Sequence, residues 1–125
     1  MNESMKTIKL LQEGQQAIHE TLPGVMEGFR DFSRSVIDLE QIPLKVKELI
    51  AVAVAVGIKC QPCIVHHVKL ALDQKATAEE IMEACGVAIT MGGGPAVAYT
   101  SYVVQALKDF KALEKEGRGG FQDAL

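Results

Sequence analysis

ELIAVAVAVGIKCQPCIVHH, residues 48 to 67, can be read as a strand or as a helix, and the choice sets the fold of the whole chain. Val52, Val54 and Val56 alternate with alanines, which matches a strand template, while an uncharged apolar run also suits a buried helix. Three features favour the helix. From Pro43 to Ile58 the segment is long for a strand, its Ala and Leu content favours helix, and the rest of the chain offers no convincing strands for a sheet. The same stretch holds most of the reactive side chains. Cys60 and Cys63 are separated by Gln61 and Pro62, a spacing at which two thiols can close a small disulfide or share a metal. His67 follows Cys63 by four residues, so on a helix its ring lies one turn along on the same face. Glu48 precedes Cys60 across a run with no other charge before Lys59.

Outward from this stretch the chain reads as helical almost throughout. Met5, Ile8, Leu11 and Ile18 recur at helical spacing with polar residues opposite them, predicting an amphipathic helix in which Gly14 is a weak point. Thr21 and Pro23 restart the chain, and Leu22, Val25, Met26, Phe29, Phe32 and Val36 form a second stripe. Asp38 to Ile42 reads as a connection. Pro43 opens a third helix, in which Val46, Leu49 and Ile50 continue the period into the apolar run, and that run is assigned to a buried helix. After Cys63, the residues Ile64, Val65, Val68, Ala71 and Leu72 define a fourth. Thr77 with Glu80 is a capping box opening a fifth, which carries Ile81, Met82, Cys85, Ala88 and Ile89 inward. Gly92 to Pro95 break the chain before a last helix carrying Val97, Tyr99, Tyr102, Val103, Ala106, Leu107, Phe110 and Leu113. The tail from Glu116 is glycine-rich and expected to fray. The expectation is an all-α bundle of about six helices, one domain over residues 1–125.

Composition narrows the function classes. A chain of 125 residues that is 48% apolar can bury a core. Its net charge of −3, with no Lys/Arg cluster, argues against nucleic acid as a partner. The N-terminal MNESMKTIKLLQEGQQ lacks the apolar core and cleavage site of a signal peptide. Leu49 to Ile58 spans ten residues where a membrane helix needs about 20, so neither secretion nor a membrane is expected. In the cytoplasm that this implies, a close cysteine pair is expected to be catalytic or metal-binding rather than a structural staple, because that compartment keeps thiols reduced.

With the helices placed, KVKELIAVAVAVGIKCQPCIVHHVKLAL, TAEEIMEA and the GGGPA break resemble the carboxymuconolactone decarboxylase family, and within it the alkylhydroperoxidase D-like branch. The shared pattern is a glutamate, eleven residues, Cys-x-x-Cys, three residues and a histidine, met here by Glu48, Cys60, Cys63 and His67. The resemblance covers roughly Pro43 to Leu107. It implies an all-helical fold, assembly as a homo-oligomer (trimer or hexamer), and a redox-active dithiol that reduces peroxides or a partner disulfide. It also implies a reducing partner, either a lipoylated protein or a thioredoxin-like dithiol. No cofactor and no metal are expected. One departure stands out: the best-known peroxidase members carry a histidine where this chain has Pro62. Proline can relay no proton, but it pre-sets a helical start and stiffens the loop between the thiols, which suits disulfide exchange better than peroxide reduction.

The residues support a dithiol chemistry in their own right. A free cysteine has a pKa of about 8.5 and only its thiolate is nucleophilic, so something must favour the anion. Cys63 would sit in the first turn of the fourth helix, where unpaired N–H groups and the helix dipole stabilise negative charge. His67 would accept the thiol proton or pair with the thiolate, and Glu48 would orient that imidazole. Cys60 would resolve the sulfenic acid or mixed disulfide formed on Cys63. By analogy with thioredoxin the two cysteines could exchange roles. His66 projects about 100 degrees from His67 and reads as a surface or interface residue. Cys85 reads as a small core residue, and His19 is given no role. Two other classes compete: a lyase in the manner of carboxymuconolactone decarboxylase itself, whose enzymes do not generally rest on a Cys-x-x-Cys pair, and a zinc-binding or interaction module.

Overall fold

The helices begin where local chemistry satisfies their first N–H groups. Asn2 caps α1 (Glu3–Thr21), its side-chain oxygen accepting from the Met5 N–H at 2.9 Å. Pro23 occupies the first position of α2 (Pro23–Ile37), where its missing N–H costs nothing. Pro43 precedes α3 (Leu44–Gly57), and Cys60 is the N-cap of α4 (Gln61–Asp73). Thr77 and Glu80 form the expected capping box at the head of α5 (Ala78–Gly92), each side chain bonding the other residue's backbone N–H. Gly93, with φ of +65°, alone separates α5 from α6 (Gly94–Asp109). The structure, a computed structural model, describes residues 1–113, and among them there is no strand. The helical reading of residues 48 to 58 therefore holds. The predicted frayed tail from Glu116 lies outside the described residues.

Three helix ends were not visible as stops in the sequence. Lys59, Lys75 and Lys111 adopt positive φ just past α3, α4 and α6, positions usually taken by glycine. At the first, Lys59 N–H bonds the Val56 carbonyl and Cys60 N–H the Ala55 carbonyl, the paired bonds of a Schellman motif. The same pairing recurs at Ala76 and Ala112, so the last helix stops at Asp109 rather than running to Leu113.

The core is built from α3, α4, α5 and α6. Val52 and Val56 meet Ile64 and Val68, with Ile81, Cys85, Val103 and Leu107 completing a fully buried centre. At the α5–α6 junction a Cβ on Gly92 would stand 3.0 Å from that of Ala96, so glycine permits the close turn. The α1–α2 hairpin lies outside this core, α1 touching α4 and α6 and α2 packing mainly on α1. The buried carboxylate of Asp109 anchors α1 by accepting from the Ser4 N–H at 3.0 Å.

Two apolar stripes are less buried than the sequence pattern suggests. On α2 only Met26 is buried, while Val25, Phe29, Phe32 and Val36 are largely exposed. The apolar run of α3 is a helix, yet its outer face, Val46, Ile50, Val54 and Ile58, is open. Helical periodicity reports that a face is apolar and carries no information on what covers it. Val97 and Tyr102 on α6 are exposed for the same reason.

Candidate active site at the start of α4

The face that α3 turns inward runs through Glu48, Val52, Ala55 and Val56, positions one and two turns apart. Glu48 thus occupies the first position of an otherwise apolar buried stripe, at 7% exposure. A buried carboxylate needs a partner. It finds one in His67 of α4, whose Nδ1 lies 3.2 Å from Oε1 and 3.4 Å from Oε2. The carboxylate can only accept, so the bond requires a proton on Nδ1, which in the neutral imidazole leaves the lone pair on Nε2.

Lys59 turns the chain sharply between α3 and α4 and sets Cys60 at the junction. There Cys60 ends the Schellman motif of α3 and caps α4, its Sγ accepting from the Cys63 N–H at 3.3 Å. The Cα atoms of Cys60 and Cys63 are 5.2 Å apart and the two sulfurs are joined in a disulfide. Both cysteines are half-buried at the positive end of the α4 dipole, which favours negative charge there.

A cavity of about 640 Å³ opens here, bounded by α1, α2, α3 and α4. Cys63, His67, Leu70 and Gln74, successive turns of one α4 face, line one wall together with Pro62 and His66. Glu48 lines its floor, and α2 supplies the opposite wall through Met26, Phe29, Arg30 and Arg34. Lys47 fixes that wall, donating to the carbonyls of Val36 at 3.1 Å, Ile37 at 2.9 Å and Leu39 at the end of α2. All four residues expected at the site are therefore brought together, with Cys63 on the cavity wall and Cys60 set back from it. Among the described residues no three His, Cys, Asp or Glu side chains are arranged to hold a metal ion.

Three cavity residues were missed by sequence reasoning. His66 is half-buried and lines the cavity, its ring edge-on to His67 at 4.9 Å. Burial lowers its pKa below 6.5, with the neighbouring His67 and Lys69 adding to the effect and Glu48 opposing it. The cavity environment therefore disfavours its charged form. Arg30 and Arg34 belong to a helix that looked peripheral, and nothing local to α2 marks them as facing the cysteines. Cys85 is fully buried as expected. Burial pushes its thiol up to about 11, partly offset by a hydrogen bond with Thr100.

This fold and site have known relatives. A profile of the carboxymuconolactone decarboxylase family matches residues 23–107, from the first residue of α2 into the last turn of α6, and the chain belongs to that family. The match extends the resemblance N-terminally by the whole of α2. An uncharacterised protein of Cupriavidus necator is 38% identical over 97 residues, which is 78% of this chain and 83% of the relative. A carboxymuconolactone decarboxylase family protein from Legionella pneumophila superposes with a TM-score of 0.84 at 30% identity, covering 88% of this chain and 98% of that one. A family protein from Thermotoga maritima, described in terms of a possible involvement in antioxidative response, shares the fold with a TM-score of 0.75 at 24% identity, covering 88% and 93% of the two chains.

Proposed function

We propose that the protein is a thiol-dependent oxidoreductase in which Cys60 and Cys63 form a redox-active pair that reduces a peroxide or a partner disulfide. The observation that carries this reading is the cysteine pair at the N-terminus of α4, beside a cavity that His67 and its partner Glu48 also line. Cys63 lines the cavity and Cys60 does not, which favours Cys63 as the attacking sulfur. The antioxidative description of the Thermotoga maritima relative is consistent with this chemistry.

With a peroxide, the Cys63 thiolate attacks one oxygen, the O–O bond breaks, and the leaving alkoxide takes the proton held by His67. Cys63 is then a sulfenic acid. The Cys60 thiol attacks that sulfur, water leaves, and the disulfide closes. With a disulfide substrate, Cys63 forms a mixed disulfide and expels one thiolate, and Cys60 displaces the second. An external dithiol, on a lipoylated or thioredoxin-like protein of the cytoplasm, returns two electrons and two protons to the pair. Because Pro62 offers no proton relay between the cysteines, disulfide exchange is the faster of the two reactions in this reading.

The decisive experiment is a thiol count under denaturing conditions. The fully reduced chain has three thiols, and one equivalent of substrate should leave one, that of Cys85. A count that stays at three with both peroxide and disulfide overturns the reading.

The reading includes self-association. The face of α3 carrying Val46, Ile50, Val54 and Ile58, with Phe32 exposed on α2, is a larger run of open apolar side chains than a lone soluble domain ordinarily presents. Further copies of the chain, in a trimer or hexamer, are the proposed cover.

A further inference from the structure

The wall facing Cys63 carries a feature that dithiol exchange does not use. Arg30 and Arg34 lie one helical turn apart on α2, and both line the cavity that holds Cys63. The sequence contains three arginines against ten lysines, so two of its three forked cations are spent on this one wall. Arginine differs from lysine in presenting a planar set of donors that matches a carboxylate two bonds at a time. Among the described residues neither guanidinium has an ion-pair or hydrogen-bonding side-chain partner. The acids near them do not neutralise them. Glu27 is paired with His19 at 3.3 Å, Glu48 is engaged by His67, and Asp38, which also lines the cavity, is outside ion-pair distance of both. Two cations thus face the cavity of a chain whose net charge is −3. Leu11, Met26, Phe29 and Leu70 contribute apolar surface to the same lining. The volume, about 640 Å³, is that of a site for a small organic molecule.

We infer that the cavity selects a small organic substrate with a carboxylate at one end of an apolar body, held by Arg30 and Arg34 so that its reducible O–O or S–S bond reaches Cys63. The inference rests on the oxidoreductase reading for the reducible bond and on the cavity alone for the anion. Apolar contact with Phe29 and Leu70 supplies affinity, and the arginines supply orientation and the preference for negative charge.

The test separates the two. Octanoate and its neutral counterpart octanamide are titrated into the oxidised protein by calorimetry, in wild type, in Arg30→Gln/Arg34→Gln and in Arg34→Lys. Octanoate should bind about tenfold or more tightly than octanamide in wild type. The double variant should lose that preference while its circular dichroism and unfolding midpoint stay unchanged, because both side chains are exposed. Arg34→Lys should keep part of it. Equal binding of the two probes, no binding of octanoate, or a preference that survives in the double variant overturns the inference. A second arm offers the prereduced protein a carboxylic-acid hydroperoxide beside its methyl ester, and an acidic disulfide beside a neutral one. The acid should react faster in each pair, and the pair that reacts identifies the bond. If the octanoate preference holds while no substrate consumes thiols, the dithiol reading fails and the anion site stands. If thiols are consumed with no preference for the acids, the anion site fails and the dithiol reading stands.

Discussion

In the proposed reading, Glu48 and His67 act on the site through the proton between them. Replacing Glu48 by Gln keeps the shape but turns an acceptor into a group that can donate to Nδ1, which favours the tautomer with the proton on Nε2. The imidazole then has no lone pair for the thiol. Glu48→Gln is expected to slow thiol attack on the order of a hundredfold, with little loss of stability, in stopped-flow measurements of single turnover. His67→Ala has the opposite balance, leaving a buried carboxylate without its partner and costing about 1 to 3 kcal/mol in urea unfolding. Neighbouring His66 should titrate below 6.5 when followed by NMR, since burial disfavours its charged form; a value at or above 6.5 contradicts its placement in the cavity. Cys85 makes a prediction at the other end of the scale. Its folded pKa, about 11, lies above the ordinary 9.0, so folding favours the protonated thiol. That stabilisation is complete below pH 9 and is lost as pH rises towards 11, amounting to roughly 2 to 3 kcal/mol. The fall in unfolding midpoint between pH 8 and 10.5 should accordingly be shallower in Cys85→Ala than in wild type.

At the scale of the element, helix starts were legible and helix ends were not. Thr77 with Glu80, Pro23 and Pro43 announce their helices because a start is written in side-chain chemistry at fixed offsets. Thr77→Ala should cost about 1 kcal/mol, read from denaturant midpoints. The ends at Lys59, Lys75 and Lys111 use a left-handed residue where glycine is the recognisable signal, and lysine in that position gives none. Since a left-handed lysine carries a strain that glycine avoids, Lys75→Gly should raise stability by up to about 1 kcal/mol despite its greater freedom when unfolded. The same turn at Lys59 has a functional consequence. It delivers Cys60 to the N-cap of α4, so that the cysteine pair and the helix dipole coincide.

For the whole molecule, the open apolar faces of α2 and α3 are the main surface question. Val54→Glu places a charge in the middle of the α3 stripe and is expected to convert the proposed assembly to monomer, measured by light scattering, while far-ultraviolet dichroism is retained. A wild-type protein that is already monomeric at micromolar concentration would count against self-association. The all-α class, the six helices of the described residues and the grouping of Glu48, Cys60, Cys63 and His67 were readable from the chain, because each rests on spacing along one or two neighbouring helices. Local periodicity and capping act within a few residues, and α3 and α4 are joined by a short turn, so their register follows from the sequence between them. The α1–α2 hairpin is different. How it stands against α3 and α4 depends on contacts distant along the chain: the Lys47 cap on α2, and Asp109 holding the start of α1. Only the tertiary structure could therefore place Arg30 and Arg34 on the cavity that Cys63 lines, half-bury His66 and show which apolar stripes remain uncovered. The sequence by itself determined the helices and the cysteine pair; packing between remote segments decided the cavity in front of that pair.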